Sequence, residues 1–274
     1  MIRFRWRSSV LLAVTSVAGI AAFTWPLFAT PRGTENLAHA NDAPWLFVVL
    51  VPLLVAILLA ELADGVLDAK AVAMLGVLVA CGAALRAPTT GVTGFTGVFF
   101  LLIPGWRVFG RGFGFVQGAL TMFASALLTG GVGPWLPFQM LCAAWVGFLA
   151  GCLPRASGRR ELVLLAAYGA VAGVAYGLVM DMWFWPFGTS GTELHFVAGA
   201  SVAENLRRFW AFHLASALGF DIPRALGNAL LVLIVGTPVL AALRRAARRA
   251  AFGAPTVFEP AAAHVAPVVA QVLD

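Results

Sequence analysis

Apolar runs long enough to cross a bilayer follow one another along most of the chain, separated by short polar connections, and no other feature constrains the fold as tightly. A hydrocarbon core takes roughly 20 residues of helix, with about 17 to 25 tolerated. By that rule the candidate spans are 9–29, 45–61, 70–86, 95–109, 113–128, 135–153, 162–184 and 225–243. Inside lipid the backbone has no water to bond, so each run has to satisfy its own N–H and C=O groups as a helix. Composition agrees, with 61% hydrophobic residues, 11% charged residues and a mean hydropathy of +0.92, far from soluble-domain averages. The expected fold is an all-α polytopic membrane protein of about eight transmembrane helices.

The net charge of +6 serves topology rather than a nucleic-acid partner, because the basic residues cluster in the connections between apolar runs. With the N-terminus inside, Arg3, Arg5, Arg7, Lys70, Arg107, Arg111, Arg155, Arg159, Arg160, Arg244, Arg245, Arg248 and Arg249 fall on the cytoplasmic side. Only Arg32, Arg86, Arg207, Arg208 and Arg224 fall outside. That asymmetry predicts a multi-pass cell-membrane protein with both termini in the cytoplasm. The first span has a second reading: Arg3, Arg5 and Arg7, an apolar run and then Ala38-His-Ala40 resemble a cleavable signal peptide over residues 1–40. Against it, the run is long, contains Trp25-Pro26 and ends well before the small residues. Cys81, Cys142 and Cys152 lie within apolar segments without CxxC spacing, so they indicate neither disulfides nor zinc.

Between spans 113–128 and 135–153 stands Thr129-Gly-Gly-Val-Gly-Pro-Trp-Leu-Pro-Phe-Gln139. Non-helical backbone at membrane depth is tolerated only where protein or a water-filled cavity covers it, so this hinge reads as the mouth of a binding pocket. Thr129, Gly131 and Gly133 would offer backbone donors there, and Trp135 and Gln139 side chains. Polar groups within a span cost about 2.5 to 3.5 kcal/mol on insertion scales, so the few present have to face a cavity or a partner. Asp181, in Met180-Asp-Met-Trp-Phe-Trp-Pro186, lies beside Trp183 and Trp185, which suit either a pocket for a planar ring or an interfacial aromatic belt. Asn228 fits either the pocket or an interhelical hydrogen bond. The external stretch 187–223 contains an aromatic and basic segment, 206–220, suited to an interface helix and a lid. The tail 250–274 is expected to be flexible.

Catalytic apparatus is missing from the sequence. No GxxxxGK[ST], HExxH or GxSxG occurs. Gly110-Arg-Gly-Phe-Gly-Phe-Val-Gln-Gly118 lacks dinucleotide-binding spacing. Asp64 and Asp68 have no second acidic cluster with which to share magnesium, and His39, His195, His213 and His264 are scattered without ligand spacing. The chain is therefore expected to be no enzyme and to hold no metal or cofactor. A membrane-embedded lipid or prenyl transferase would require acidic or histidine clusters at the cytoplasmic helix ends, which carry mainly arginine instead. A non-binding membrane assembly protein is the other alternative.

Gly114-Phe-Val-Gln-Gly-Ala-Leu-Thr-Met122 followed by Gly133-Pro-Trp-Leu-Pro-Phe-Gln-Met140 resembles the substrate-binding S components of energy-coupling factor (ECF) vitamin transporters. The resemblance covers roughly residues 70–249 and implies a six-helix substrate-binding core. Residues 1–69, an Arg-bearing segment and two further helices, depart from most members and are most like the actinobacterial S components assigned to cobalamin. It also implies capture of a vitamin from outside and delivery inward with a membrane T component and two cytoplasmic ABC ATPases. S components dock on the T component through an AxxxA-type face. Here Ala69 and Ala73, then Gly76, Ala80 and Ala84, supply that spacing, which packing between the protein's own helices would equally use.

Overall fold

Glycine marks the helix breaks at 110 and 130, whereas Pro104, Pro186, Pro223 and Pro238 are carried inside helices. The computed structural model describes residues 6–28, 69–89, 97–188, 194–197 and 199–250, with isolated positions between 48 and 56. Its helices are α1 (Trp6–Phe28), α2 (Ala69–Arg86), α3 (Val98–Phe109), α4 (Arg111–Thr129), α5 (Leu136–Ala150), α6 (Gly158–Gly188), α7 (Val202–Phe212) and α8 (Leu218–Ala250). Gly110 alone separates α3 from α4, with φ at 101°, where a side chain would be strained. Gly130 ends α4 in the left-handed region, φ 65°, and Pro137 falls at the start of α5. The described residues contain helices and turns but no strand. Span 45–61 lies largely outside them.

Connections this short make α2 to α6 run alternately up and down. The ends of α2, α4 and α6 therefore gather with the beginnings of α3, α5 and α8. Helix α7 continues into α8 through a single π-helical turn, His213–Ala217, so residues 206–220 are part of one helical run rather than a separate element. Three helical stretches, Arg111–Thr129, Gly158–Pro186 and Val202–Arg249, are long and apolar enough to cross a membrane. Ser9–Thr24, Val98–Phe109 and Leu136–Ala150 are shorter apolar helices.

Little hydrophobic force draws helices together in lipid, so close backbone approach has to supply the contact energy. A methyl group on Gly118 would collide with the Ala143 carbonyl, and one on Gly147 with the Gly114 carbonyl, so α4 and α5 meet backbone to backbone. Gly169 and Gly173 play the same part where α6 meets Asn228 and Ala225 of α8. Between these contacts Phe99, Leu102, Ile103, Trp106, Phe113 and Phe138 are fully buried. Outward, α8 exposes Leu226, Leu230, Leu233 and Ile234, the last at 73%, an apolar surface that lipid is suited to cover. Helix α1 rests on α5 through Phe23 against Phe138, centroids 4.8 Å apart, and through Trp145 Nε1 donating to Ser16 Oγ at 3.0 Å.

At the end where α6 begins, Glu161 is buried to 2% exposure and ties three helices. It accepts from Arg107 Nε of α3 at 2.8 Å and from Arg244 Nη2 of α8 at 2.6 Å. Arg107 also donates to the Leu153 and Ala156 carbonyls, closing the α5–α6 connection.

Candidate substrate-binding site

Polar side chains collect at the opposite end, in two groups. Arg86, the last residue of α2, donates from Nη1 to Ser125 Oγ of α4 at 2.7 Å and from Nη2 to Gln139 Oε1 of α5 at 3.3 Å. One guanidinium thus joins three helices beside the hinge. Sequence reasoning chose Gln139 but counted Arg86 only as an external charge. A cation at the end of one span and an amide one turn into another is a signal that could have paired them.

Part of the hinge is closed rather than offered to a ligand. The N–H groups of Gly130 and Gly131 both bond the Ala126 carbonyl, capping α4, so the amide expected from Gly131 is already committed. Thr129 Oγ1 donates back to Ser125 O at 2.9 Å. Trp135 folds over Gly133, where a methyl group would strike its ring, and Nε1 donates to Gly131 O at 3.0 Å. At 37% exposure Trp135 remains accessible. It meets Trp183 edge-on at 6.3 Å between centroids, and Trp183 also lies 6.0 Å from Phe138. The hinge and the C-terminal end of α6 therefore share one aromatic wall.

The second group is ionic. His213, in the π turn, faces Asp181 Oδ2 of α6 with Nδ1 at 2.7 Å and Asp221 Oδ2 of α8 with Nε2 at 3.8 Å. The Nδ1 contact is a hydrogen bond shared by the imidazole and the Asp181 carboxyl group. Arg224 Nη1 donates to Asp221 Oδ1 at 2.6 Å and to the Gly173 carbonyl at 3.2 Å, and its guanidinium lies 5.5 Å above the Tyr176 ring. Gly177 leaves the space that Asp221 fills, since a methyl group there would overlap its carboxylate. His213 and Asp221 are 3% and 2% exposed, Asp181 21%. The ligand atoms of Asp181, His213 and Asp221 lie within 4.8 Å of one another, a spacing open to a metal ion. Arg224 already supplies a cation to Asp221 Oδ1, while Asp221 Oδ2 is buried without a hydrogen-bond partner.

Two chosen residues go elsewhere. Trp185 is fully buried, donates to Leu194 O at 2.7 Å and packs edge-on against Phe196 and Phe209 at 5.5 and 5.4 Å, so it fastens the segment before α7 onto α6 instead of facing a pocket. Asn228 is fully buried and donates from Nδ2 to Gly169 O at 3.5 Å, the interhelical bond that was its alternative. Along α2, by contrast, Ala73, Gly76, Ala80 and Ala84 lie exposed on one side while Ala71, Leu75 and Leu78 are buried; Ala69 opens the helix.

Residues 70–236, more than half of the chain, match the model of the family of ECF transporter substrate-specific components. The chain belongs to that family. Neither the curated proteins nor the solved structures contain a significant match to it. An S component is a transport-related substrate-capture subunit that works with a T component and ATPases. The matched stretch begins in α2 and ends within α8, so α1 lies outside it, while both polar groups, the hinge and the exposed small-residue side of α2 lie inside it.

Proposed function

We propose that this S component captures a vitamin, cobalamin first among the candidates, at the outer side of the cell membrane and delivers it inward with a T component and two cytoplasmic ATPases. The observation that carries the reading is the convergence of the Arg86–Gln139 pair and the Trp135–Trp183 wall at one end of a family-matched bundle. A cation, an amide and accessible aromatic faces suit a large planar ligand with an amide periphery. The Asp181–His213 and Asp221–Arg224 contacts then brace the helices behind that mouth. In this reading the full chain has eight spans, both termini are cytoplasmic, and the first two helices are additions to a six-helix core.

The test is the thermal stability of the detergent-purified chain with cobalamin, riboflavin, thiamine or biotin, since ligand at 100 times its dissociation constant adds about 2.7 kcal/mol. Cobalamin is expected to stabilise the protein, and Gln139→Ala to weaken that response about fivefold, one hydrogen bond's worth. Stabilisation by a different vitamin would reassign the substrate and keep the capture role. Silence toward all four in a folded sample would overturn the vitamin assignment.

A further inference from the structure

At the end of the bundle away from the substrate site, a cavity of about 520 Å³ opens between the first turn of α6 and the last turns of α8. Its inner wall is apolar, formed by Leu162, Leu240 and Ala241, and its rim bears Arg159, Arg245 and Arg248, with Arg244 and Glu161 between the two. The Glu161 charge is committed to Arg107 and Arg244. Arg159, Arg245 and Arg248 are exposed, and among the described residues no carboxylate pairs with them. Helical spacing explains the arrangement: residues 237, 240, 241, 244, 245 and 248 fall on one face of α8, so the face changes from apolar to cationic along its length. Such a gradient, apolar in depth and basic at the helix ends, is complementary to an amphiphile with a negative head.

We propose that this cavity is a site for an anionic membrane phospholipid, its phosphate held by Arg159, Arg245 and Arg248 and an acyl chain lying along Leu162 and Leu240. The guanidinium groups supply forked donors matched to phosphate oxygens. The site needs only that α6 and α8 cross the membrane, so it stands apart from the identity of the transported substrate. In the orientation proposed above it draws on the inner leaflet. A lipid there would bridge the two long helices at the end where Glu161 already joins them to α3.

The full chain, purified in neutral detergent and stripped of lipid, is titrated with phosphatidylglycerol, with phosphatidylcholine and with inorganic phosphate while its melting temperature and native mass are recorded. Phosphatidylglycerol is expected to raise the melting temperature and to remain as a bound adduct, and the other two to do neither. The variant R159Q/R245Q/R248Q should bind phosphatidylglycerol roughly 100-fold more weakly, each basic charge near a membrane surface contributing about a factor of five. R159K/R245K/R248K, which keeps the charge but loses the forks, should bind with an affinity between those of the unmodified protein and the glutamine variant. An equal response to phosphatidylcholine, a full effect from inorganic phosphate, or unchanged lipid affinity in the glutamine variant would each overturn the site. If that variant does not fold, R248Q alone is measured, where a loss of about fivefold is expected and no loss counts against the proposal.

Discussion

His213 stands between two carboxylates from different helices, and the arrangement holds only while all its members are present. Removing one partner from a buried polar pair leaves the other unsatisfied, which costs more than the pair contributes when intact. His213→Ala takes the hydrogen-bond partner from Asp181 and is expected to lower stability by about 1–3 kcal/mol. The check is chemical unfolding in detergent together with the double variant His213→Ala/Asp181→Asn, whose loss should fall short of the two single losses added. Strict additivity would mean that the 2.7 Å contact is not an energetic one. The same group marks how far the site was legible in the sequence. Trp135, Gln139 and Asp181 could be chosen because a Gly/Pro hinge and a charge within an apolar run are local signals. Arg86 and His213 were passed over, since their meaning lies in partners 53 and 32 residues away, and only for Arg86 did the sequence hold a signal, its place at a span end opposite an amide. Trp185 misled for the same reason: its indole reaches Leu194, beyond the end of the apolar run in which it was read.

Among the elements, the shorter spans were legible almost to the residue, because polar residues, glycine and proline end both the apolar run and the helix. Span 70–86 became Ala69–Arg86 and span 113–128 became Arg111–Thr129. The last two were underestimated: 162–184 is Gly158–Gly188, and 225–243 lies within Leu218–Ala250. Hydropathy ends where charge begins, whereas backbone hydrogen bonding continues into the polar region. The 31 residues of α6 reach about 46 Å at 1.5 Å per residue, beyond a hydrocarbon core of about 30 Å. The π turn has no local signature, which is why residues 206–220 read as a separate interface helix. Glycines likewise look alike in sequence and differ in place. Gly118→Ala should destabilise the α4–α5 contact by about 1–3 kcal/mol, since the Ala143 backbone is too rigid to yield. Gly76→Ala meets nothing within 4 Å and should be neutral or stabilising by up to about 1 kcal/mol through helix propensity. Thermal unfolding of the two variants side by side checks the pair, and equal losses would refute it.

Over the whole molecule, the candidate capture groups and the candidate coupling face lie on different surfaces. The candidate capture groups close one end of the bundle, whereas Ala73, Gly76, Ala80 and Ala84 run along the flank of α2 with their side chains outward. Lipid would be served equally well there by large apolar residues, such as the Val72 and Val77 also exposed on that helix. A stripe of small ones instead permits another helix to come close. If that helix belongs to the T component, the two activities should separate under substitution. Ala80→Trp adds bulk on the exposed side, away from the buried Leu75 and Leu78, so the isolated chain should fold and bind its substrate with unchanged affinity. Co-purification with the T component, and uptake by cells expressing the complete transporter, should both be lost. The inward-facing control is Gly82→Trp, which would strike Thr121 of α4 and should reduce folding itself. Ala80→Trp protein that still assembles and transports would show that the flank of α2 faces only lipid, and the coupling surface would then have to be sought on α6 or α8, whose exposed sides carry larger apolar residues.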